Sequence, residues 1–246
     1  MTELSPDQYR DRLDAEIGLL AKTDAGDLAR PIPHIAGWTV HSVIGHTGWV
    51  LRYVDQCLAA APDVPPSRSV VGEPPHGPDV LDWFTEAADA IRRSFATTGL
   101  DDLHPTFTGP QKTSWWLRRL SHELALHRWD VEAARGEPGP IDARQALDAV
   151  EEVLEVYVPT RMHFEQLGGD GQTVHLHATD IDDGEWMLTL LPDRVEWEHG
   201  HAKGDVAARA TASDLLLLLW GRIPPDRVQV FGDVTLLERW QTAATF

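Results

Sequence analysis

Residues 167–178 have the sequence LGGDGQTVHLHA, and the hydrophobic pattern of the chain changes within this stretch. Before the glycine-rich run at 168–171, apolar residues recur at the spacing of α-helices, and after it they alternate as in β-strands. The segments 174–178, 186–190 and 194–198 all alternate, and 206–211 is a further candidate strand. We therefore expect a helical domain at 1–168 and a small α+β domain at 169–246.

Five helices are predicted before residue 168, at about 5–23, 40–61, 79–97, 113–136 and 143–167. Ser5-Pro6 is a cap followed by a first-turn proline, Gly37-Trp38-Thr39 is a break followed by a cap, and Thr113-Ser114 is expected to cap the fourth helix. Pro159 predicts a kink in the fifth helix. Long helices joined by short and medium loops favour an antiparallel four-helix bundle. In the second domain, Ser213-Asp214 is expected to cap a short apolar helix, and a last helix begins near Asp233.

The composition narrows the class of protein. Acidic residues outnumber basic ones, and the net charge of −18 disfavours nucleic acid and acidic membranes as partners. Cys57 is the only cysteine, so the chain cannot form an internal disulfide; its apolar helix predicts a buried, inert thiol. The N-terminus lacks the apolar core of a signal peptide, and the apolar run 215–220 is too short to span a membrane. We expect a cytoplasmic protein, monomeric or homodimeric, that acts on a small molecule.

The strongest chemical signal lies in the fourth helix, at residues 121–130, with the sequence SHELALHRWD. Glu123 and His127 are four residues apart and share one helix face, so both can bind one metal ion. His122 and His127 are five residues apart, which separates them by about 140° around the helix. The pattern therefore differs from the H-E-x-x-H motif of zinc proteases, whose histidines share a face.

A third ligand must come from elsewhere, and the second helix offers His46 or His41. These two are again about 140° apart, so only one can face the site. Gly45 and Gly48 flank His46 although each costs a helix roughly 1 kcal/mol against alanine, which suggests a close approach between helices around a shared site. His46, Glu123 and His127 would form a three-ligand set with an open fourth position, as in catalytic zinc sites.

Simpler explanations exist for each of these residues. A Glu–His pair at this spacing is more often a salt bridge than a metal site. His175 and His177 share one face of a strand and could bind metal, but polar residues alternating on a solvent-exposed face explain them more simply. His199-Gly200-His201 has the pattern of a polar turn. The spacing alone leaves these alternatives open.

The motifs together resemble a known family. Gly37-Trp38-Thr39-Val40 followed by Gly45-His46 resembles the opening of the DinB-like helical bundles, and residues 122–130 resemble the signature of the mycothiol-dependent maleylpyruvate isomerase branch. In the second domain, Gly184-Glu185-Trp186, the segment 212–216 and the segment 219–222 resemble the sterol-carrier-like domain of that branch. The resemblance covers nearly the whole chain in order.

This resemblance implies a site and a cosubstrate. His46, Glu123 and His127 match the metal ligands of the family, with zinc as the expected divalent ion, and Arg222 matches an arginine implicated in catalysis. The family uses mycothiol, a small thiol, as cosubstrate. A metal-bound thiol loses its proton near neutral pH, and the resulting thiolate could add to a double bond or displace a leaving group.

Three functions are consistent with this scaffold, because a fold alone does not fix a reaction. The first is a mycothiol-dependent enzyme, either a cis–trans isomerase of a maleylpyruvate-like acid or an S-transferase. The second is a tailoring enzyme of secondary metabolism that uses the same bundle and metal. The third is a non-catalytic protein that binds a metal or an apolar small molecule. The complete ligand set and Arg222 favour catalysis.

Overall fold

The computed structural model describes residues 4–136 and 138–244, which form two compact units. Residues 5–139 form the N-terminal unit, and residues from Pro140 onward, together with Leu4, form the C-terminal unit. The order predicted from the sequence, a helical part followed by a part with a mixed sheet, is confirmed. None of the described helices is long and apolar enough to cross a membrane, and the cytoplasmic location stays a prediction.

The N-terminal unit consists mainly of long helices, which are α1 (Pro6–Leu20), α2 (Val40–Ala59), α3 (Asp79–Thr97) and α4 (Thr113–Arg135). Helix α1 packs against α4, and α2 packs against both α3 and α4. A short antiparallel hairpin precedes α4, with two residues in each strand, β1 (Leu103–His104) and β2 (Gln111–Lys112). The sequence does not predict it. Helix α4, which carries two of the predicted metal ligands, is therefore in contact with α2, which carries the third.

Local sequence explains where these helices begin. Ser5 and Thr39 are N-caps with reciprocal capping boxes, as their positions in the sequence predict. The predicted cap of α4 by Thr113-Ser114 is wrong, because Thr113 is already the first helical residue and Lys112 is the N-cap. The Thr113 hydroxyl is instead engaged with Nε2 of His104, at 3.0 Å.

The two glycines of α2 allow a close approach, but to α3 and the loop before it rather than to α4. A Cβ atom on Gly48 would lie 2.6 Å from the Trp83 ring and 3.3 Å from the Phe84 backbone. A Cβ on Gly45 would lie 3.0 Å from Pro74. Gly45 and Gly48 thus allow α2 to pack on α3 and the loop before it. The expectation that they allow a close approach around the metal site, to α4, is wrong.

The C-terminal unit begins earlier than the sequence predicts. Helix α5 (Ala143–Glu152) belongs to it and packs on a later helix, α8, whereas the sequence places the domain boundary near Gly168. The single helix predicted for 143–167 is divided into α5, a π-helical turn at Val153–Tyr157, α6 (Val158–Arg161) and α7 (Phe164–Leu167). Pro159, which has no backbone N–H to donate, lies at the start of α6 and accounts for the break.

The sheet of the C-terminal unit has the strand order β5-β4-β3-β6-β7. Its strands are β3 (Gln172–Ala178), β4 (Glu185–Leu190), β5 (Val195–His199), β6 (Val206–Ala210) and β7 (Gln229–Gly232). Only β3 and β6 pair in parallel; the other neighbours are antiparallel. Two helices follow β6 and β7, namely α8 (Ala212–Leu219) and α9 (Thr235–Ala243). The strands predicted from alternation are all present among the described residues.

Helix α8 covers one face of this sheet and fixes which side chains are buried. Val174 and Leu176 of β3 are buried beneath it, together with Ala208 of β6. The predicted cap of α8 by Ser213-Asp214 is wrong: Thr211 is the N-cap, and its hydroxyl accepts a hydrogen bond from the Asp214 N–H. Because successive residues of a strand point to opposite faces, His175 and His177 lie on the face opposite to Val174 and Leu176.

Candidate metal centre

Three side chains from two helices of the N-terminal unit converge on one point. Their ligand atoms all lie within 4.8 Å of one another. Nε2 of His46, on α2, is 3.0 Å from Oε1 of Glu123, and Nε2 of His127 is 3.4 Å from the same oxygen. The structure therefore brings together the three residues predicted as metal ligands.

Burial within this cluster is graded. The His127 side chain is 7% exposed and that of Glu123 is 13% exposed, whereas the His46 side chain is 36% exposed. The α4 residues thus form the closed floor of the site, and His46 lies at its accessible side. Two imidazoles and one carboxylate form a site that is buried on one side and accessible on the other. Such a site suits a divalent metal ion with a free coordination position.

Arg119 fixes the charge of Glu123. It lies one turn earlier on α4 and donates a hydrogen bond of 2.6 Å to Oε2, which leaves Oε1 facing the two histidines. Burial alone would raise the pKa of Glu123, but the Arg119 charge and hydrogen bonds from His127 and His46 hold that pKa well below its usual range. The carboxyl group is therefore ionised at neutral pH, as a metal ligand must be.

Asp130 orients His127 from behind. Oδ2 of Asp130 lies 2.8 Å from Nδ1 of His127, and Oδ1 lies 2.6 Å from Nε2 of His34. A proton on Nδ1 of His127 directed at this carboxylate leaves Nε2 as the atom that faces Glu123 and His46. A carboxylate behind a ligating histidine is the usual support of protein metal sites, where it sets the tautomer and the ring orientation.

The same partners change the protonation of His127 in the metal-free protein. Burial would lower the pKa of His127, but hydrogen bonds to Asp130 and Glu123, and the charges of both carboxylates, raise it to about 9. At neutral pH the free imidazole therefore holds a proton on Nε2 as well, directed at the carboxylate that would share the metal. A metal ion must displace this proton in order to bind.

Trp38 covers the two imidazoles. Its ring stacks on His127 at 6.3 Å between centroids and meets His46 edge-on at 5.3 Å. Gly37, with φ of 80°, makes the turn that places Trp38 directly before the Thr39 cap of α2. The Gly-Trp-Thr motif thus begins α2 and closes the site at the same time.

The competing histidines lie away from the cluster, as helical geometry predicts. Nε2 of His41 is 3.1 Å from the Pro75 carbonyl oxygen. His122 is buried and meets the Tyr9 ring of α1 edge-on at 6.0 Å. Cys57 is buried as predicted, and burial raises the pKa of its thiol to about 11, which keeps it protonated at neutral pH.

Arg222 belongs to the C-terminal unit, directly after α8. Its backbone N–H donates to the Leu217 carbonyl at 2.8 Å, and its guanidinium donates to the Trp220 carbonyl at 3.1 Å. The guanidinium also lies over the Trp220 ring, 5.6 Å from the centroid. Arg222 is therefore held in place, and its catalytic role stays a prediction.

Sequence reasoning missed Arg119, His34 and the role of Asp130. Arg119 and Asp130 could have been found, because they lie four residues before Glu123 and three residues after His127 on one helix. His34 lies in an irregular segment before α2, where no periodicity indicates its direction. Only the tertiary fold reveals its contact with Asp130.

Comparison with known proteins identifies the family to which this chain belongs. The family model "Mycothiol maleylpyruvate isomerase N-terminal domain" matches residues 9–132, and the "MDMPI C-terminal domain" model matches residues 144–239. The chain belongs to the mycothiol maleylpyruvate isomerase family. The first match ends within α4 and the second begins within α5, and the two structural units also divide between these helices.

Solved structures show the same fold at low sequence identity. The crystal structure of a mycothiol-dependent maleylpyruvate isomerase is 13% identical, covers 92% of this chain and 93% of its own, and has a TM-score of 0.64. A histidine-to-alanine mutant of that enzyme has the same identity and coverage and a TM-score of 0.66. A comparison with curated proteins gives no match. Both domains of the mycothiol maleylpyruvate isomerase family are thus present here in the same order.

The raised pKa of His127 predicts the pH dependence of stability in the metal-free protein. A histidine whose pKa rises from 6.5 to about 9 on folding contributes stability that is complete below pH 6.5 and is lost as the pH rises through 9. Urea unfolding of chelator-treated protein between pH 6.5 and 9.5 should therefore show a falling free energy of unfolding. His127→Gln should reduce this decline. If the free energy of unfolding fell equally with pH in the two proteins, the raised pKa of His127 would be contradicted.

Proposed function

We propose that this protein is a metal-dependent enzyme that uses mycothiol as a thiol cosubstrate and isomerises a maleylpyruvate-like unsaturated acid from cis to trans. The observation that carries the proposal is the convergence of His46, Glu123 and His127 within 4.8 Å. It occurs in a chain that matches both domains of the family. The crystal structures of the same fold are of enzymes named for this reaction.

The three side chains fit a divalent metal, and we propose zinc. Two imidazole nitrogens and one carboxylate oxygen are ligands that zinc accepts, and three protein ligands are typical of zinc sites that leave a position for substrate. Arg119 and Asp130 supply the outer hydrogen bonds that such a site requires. When bound, a divalent metal lowers the pKa of a thiol and favours the thiolate at neutral pH.

The chain's own residues then have separate tasks. Asp130 holds the His127 ring so that Nε2 faces the site, and Arg119 keeps Glu123 ionised. Trp38 shields both imidazoles on one side. Cys57 takes no part in this chemistry, because its thiol is buried and protonated, so the reacting sulfur must come from an external thiol.

The thiol acts as a catalyst in this reaction. Thiolate addition to the double bond forms a C–S bond and moves the π electrons onto the conjugated carbonyl as an enolate. Rotation about the former double bond follows, and elimination breaks the C–S bond and returns the thiolate. We propose that Arg222 binds a substrate carboxylate or stabilises the enolate charge, since its guanidinium can form two parallel hydrogen bonds.

The metal assignment predicts how metal content responds to substitution. His46→Ala removes an accessible ligand, and His127→Ala removes the buried one, so each should lower the divalent metal content by about one ion per chain. His41→Ala is the matched control, because it removes a histidine of the same helix whose Nε2 lies 3.1 Å from the Pro75 carbonyl oxygen and not at the triad. The measurement is elemental analysis of protein whose purification tag has been removed. Equal metal content in wild type and His46→Ala would rule out the triad.

The cosubstrate assignment predicts the thiol dependence of turnover. Activity on a cis unsaturated keto acid should require added mycothiol and should survive Cys57→Ala, because Sγ of Cys57 is buried and protonated. The thiol should be recovered unchanged after many turnovers. Turnover in thiol-free buffer would contradict the cosubstrate role, and consumption of one thiol per product would indicate S-transfer instead of isomerisation.

The role of Arg222 predicts a selective loss of turnover. Arg222→Lys retains the positive charge but loses the planar pair of donors, so kcat/KM should fall at least about tenfold. Melting temperature and metal content, measured in parallel, should stay close to wild type. An unchanged kcat/KM in a folded, metal-loaded Arg222→Ala protein would show that Arg222 only supports the end of α8.

A further inference from the structure

A second cluster of metal-binding side chains lies in the C-terminal unit, on the face of the sheet opposite to α8. His175 and His177 come from β3, Glu185 comes from β4, and His201 comes from the segment that follows β5. One ligand atom from each of the four lies within 4.8 Å of the other three. The mechanism proposed above uses none of these residues.

The fold builds this cluster from neighbouring strands. His175 and His177 are two residues apart and share a face of β3. Glu185 is the cross-strand partner of His177 in the register of β3 and β4, so their side chains are adjacent. Strand pairing alone therefore places three of the four ligands together.

The fourth ligand depends on a segment pressed against β3. A Cβ atom on Gly204 would lie 2.8 Å from the Val206 carbonyl oxygen and 3.1 Å from the backbone nitrogen of His175, so only glycine fits there. Asp205 then accepts hydrogen bonds from the backbone N–H and the hydroxyl of Thr173, at 2.8 and 2.9 Å. The close approach and these bonds hold residues 200–205 beside the strand, with His201 at the cluster.

Glu185 is surrounded by the three imidazoles. Its Oε1 lies 2.9 Å from Nδ1 of His177, and its Oε2 lies 2.7 Å from Nδ1 of His201. Nε2 of His175 is 3.4 Å from the same Oε2, but it is buried and forms no hydrogen bond. A buried ring nitrogen without a hydrogen bond costs free energy unless another ligand binds it, and here it faces a carboxylate and two further imidazoles.

We propose that His175, His177, Glu185 and His201 form a second metal site, which binds a divalent transition metal such as zinc. Three nitrogens and one oxygen are a ligand set suited to zinc, and four protein ligands are typical of structural rather than catalytic zinc. The metal would fasten residues 200–205 to the sheet. The strongly acidic chain adds a favourable field for cations.

Protonation is compatible with this site. Burial lowers the pKa of His175 although Glu185 opposes the shift, so its imidazole is neutral at pH 7 and able to bind metal. Burial alone would raise the pKa of Glu185, but the hydrogen bond from His201 and the nearby histidines lower it. A surface cleft of about 600 Å³, lined partly by His175 and His201, borders the site and offers a path for an ion.

The test counts metal ions with the N-terminal site removed. Full-length His46→Ala/His127→Ala protein, without a purification tag and treated with chelator, is titrated calorimetrically with Zn²⁺ at pH 7. It should bind about one ion per chain. Glu185→Gln in this background should abolish binding. His201→Ala, which changes a side chain that is 73% exposed and so does not threaten the fold, should weaken binding at least about tenfold.

His199→Ala is the matched control. It removes a histidine two residues from His201 whose Nε2 lies instead 2.9 Å from Oε1 of Glu151, and it should bind Zn²⁺ as the parent does. Should the double variant fold poorly, the same substitutions are compared in otherwise wild-type protein, where Glu185→Gln should hold about one ion fewer than His199→Ala. This difference does not depend on whether the N-terminal triad binds metal. Equal zinc binding by the parent, Glu185→Gln, His201→Ala and His199→Ala would overturn the proposal.

Discussion

The N-terminal unit depends on the need to pair the buried ionisable side chains of α4. These are the side chains of five residues, namely Arg119, His122, His127, Arg128 and Asp130. Leaving one member of a buried ion pair without its partner costs about 3–5 kcal/mol, so the fold must bring partners to this helix. Arg128 illustrates the demand. It donates to Glu16 of α1 at 3.0 Å and to Glu132 at 2.7 Å, and it also reaches the Gly139 carbonyl at 2.8 Å. Desolvation raises the pKa of Glu16, against the pull of Arg128, so this pair is costly to bury and is tolerated only because each ion has a partner.

This constraint connects the site to the arrangement of the helices. Within residues 127–130, the His127 ring meets the His46 ring of α2, and Arg128 donates to Glu16 of α1. Trp129 contacts the His34 ring, and Asp130 holds both His127 and His34. His127 and Arg128 therefore contact different helices, and Trp129 and Asp130 both contact His34. The short motif that supplies the metal ligand His127 therefore also contacts α1, α2 and the segment between them. A change in the motif for the sake of chemistry would also disturb the packing of the unit.

Helical spacing was sufficient to pair Glu123 with His127, because two residues four apart share one face of α4. It set His122 apart from His127 but left His41 and His46 as alternatives on α2. The structure brings His46 to Glu123 and places His41 and His122 elsewhere. The domain boundary could not be read in this way. The residues of α5 have the same helical period as the bundle, and only their packing on α8 assigns them to the C-terminal unit. Gly45 and Gly48 signalled a close approach, but a glycine does not reveal which neighbour makes it, and here the neighbours are Pro74 and Trp83.

The histidines of the C-terminal unit show where a period-two pattern is ambiguous. His175 and His177 alternate with Val174 and Leu176, which is also the pattern of an ordinary strand with one solvent-exposed face. What distinguishes them is a carboxylate opposite His177 on β4 and an imidazole brought back by residues 200–205. Neither is local in sequence, since the second depends on how Gly204 and Asp205 seat against β3. A helix displays its ligand pairs within one turn, whereas a sheet assembles them from strands whose register must first be known. For this reason the two ligands on α4 can be recognised in the sequence of residues 121–130. The sheet cluster can be recognised only once the pairing of the strands is known.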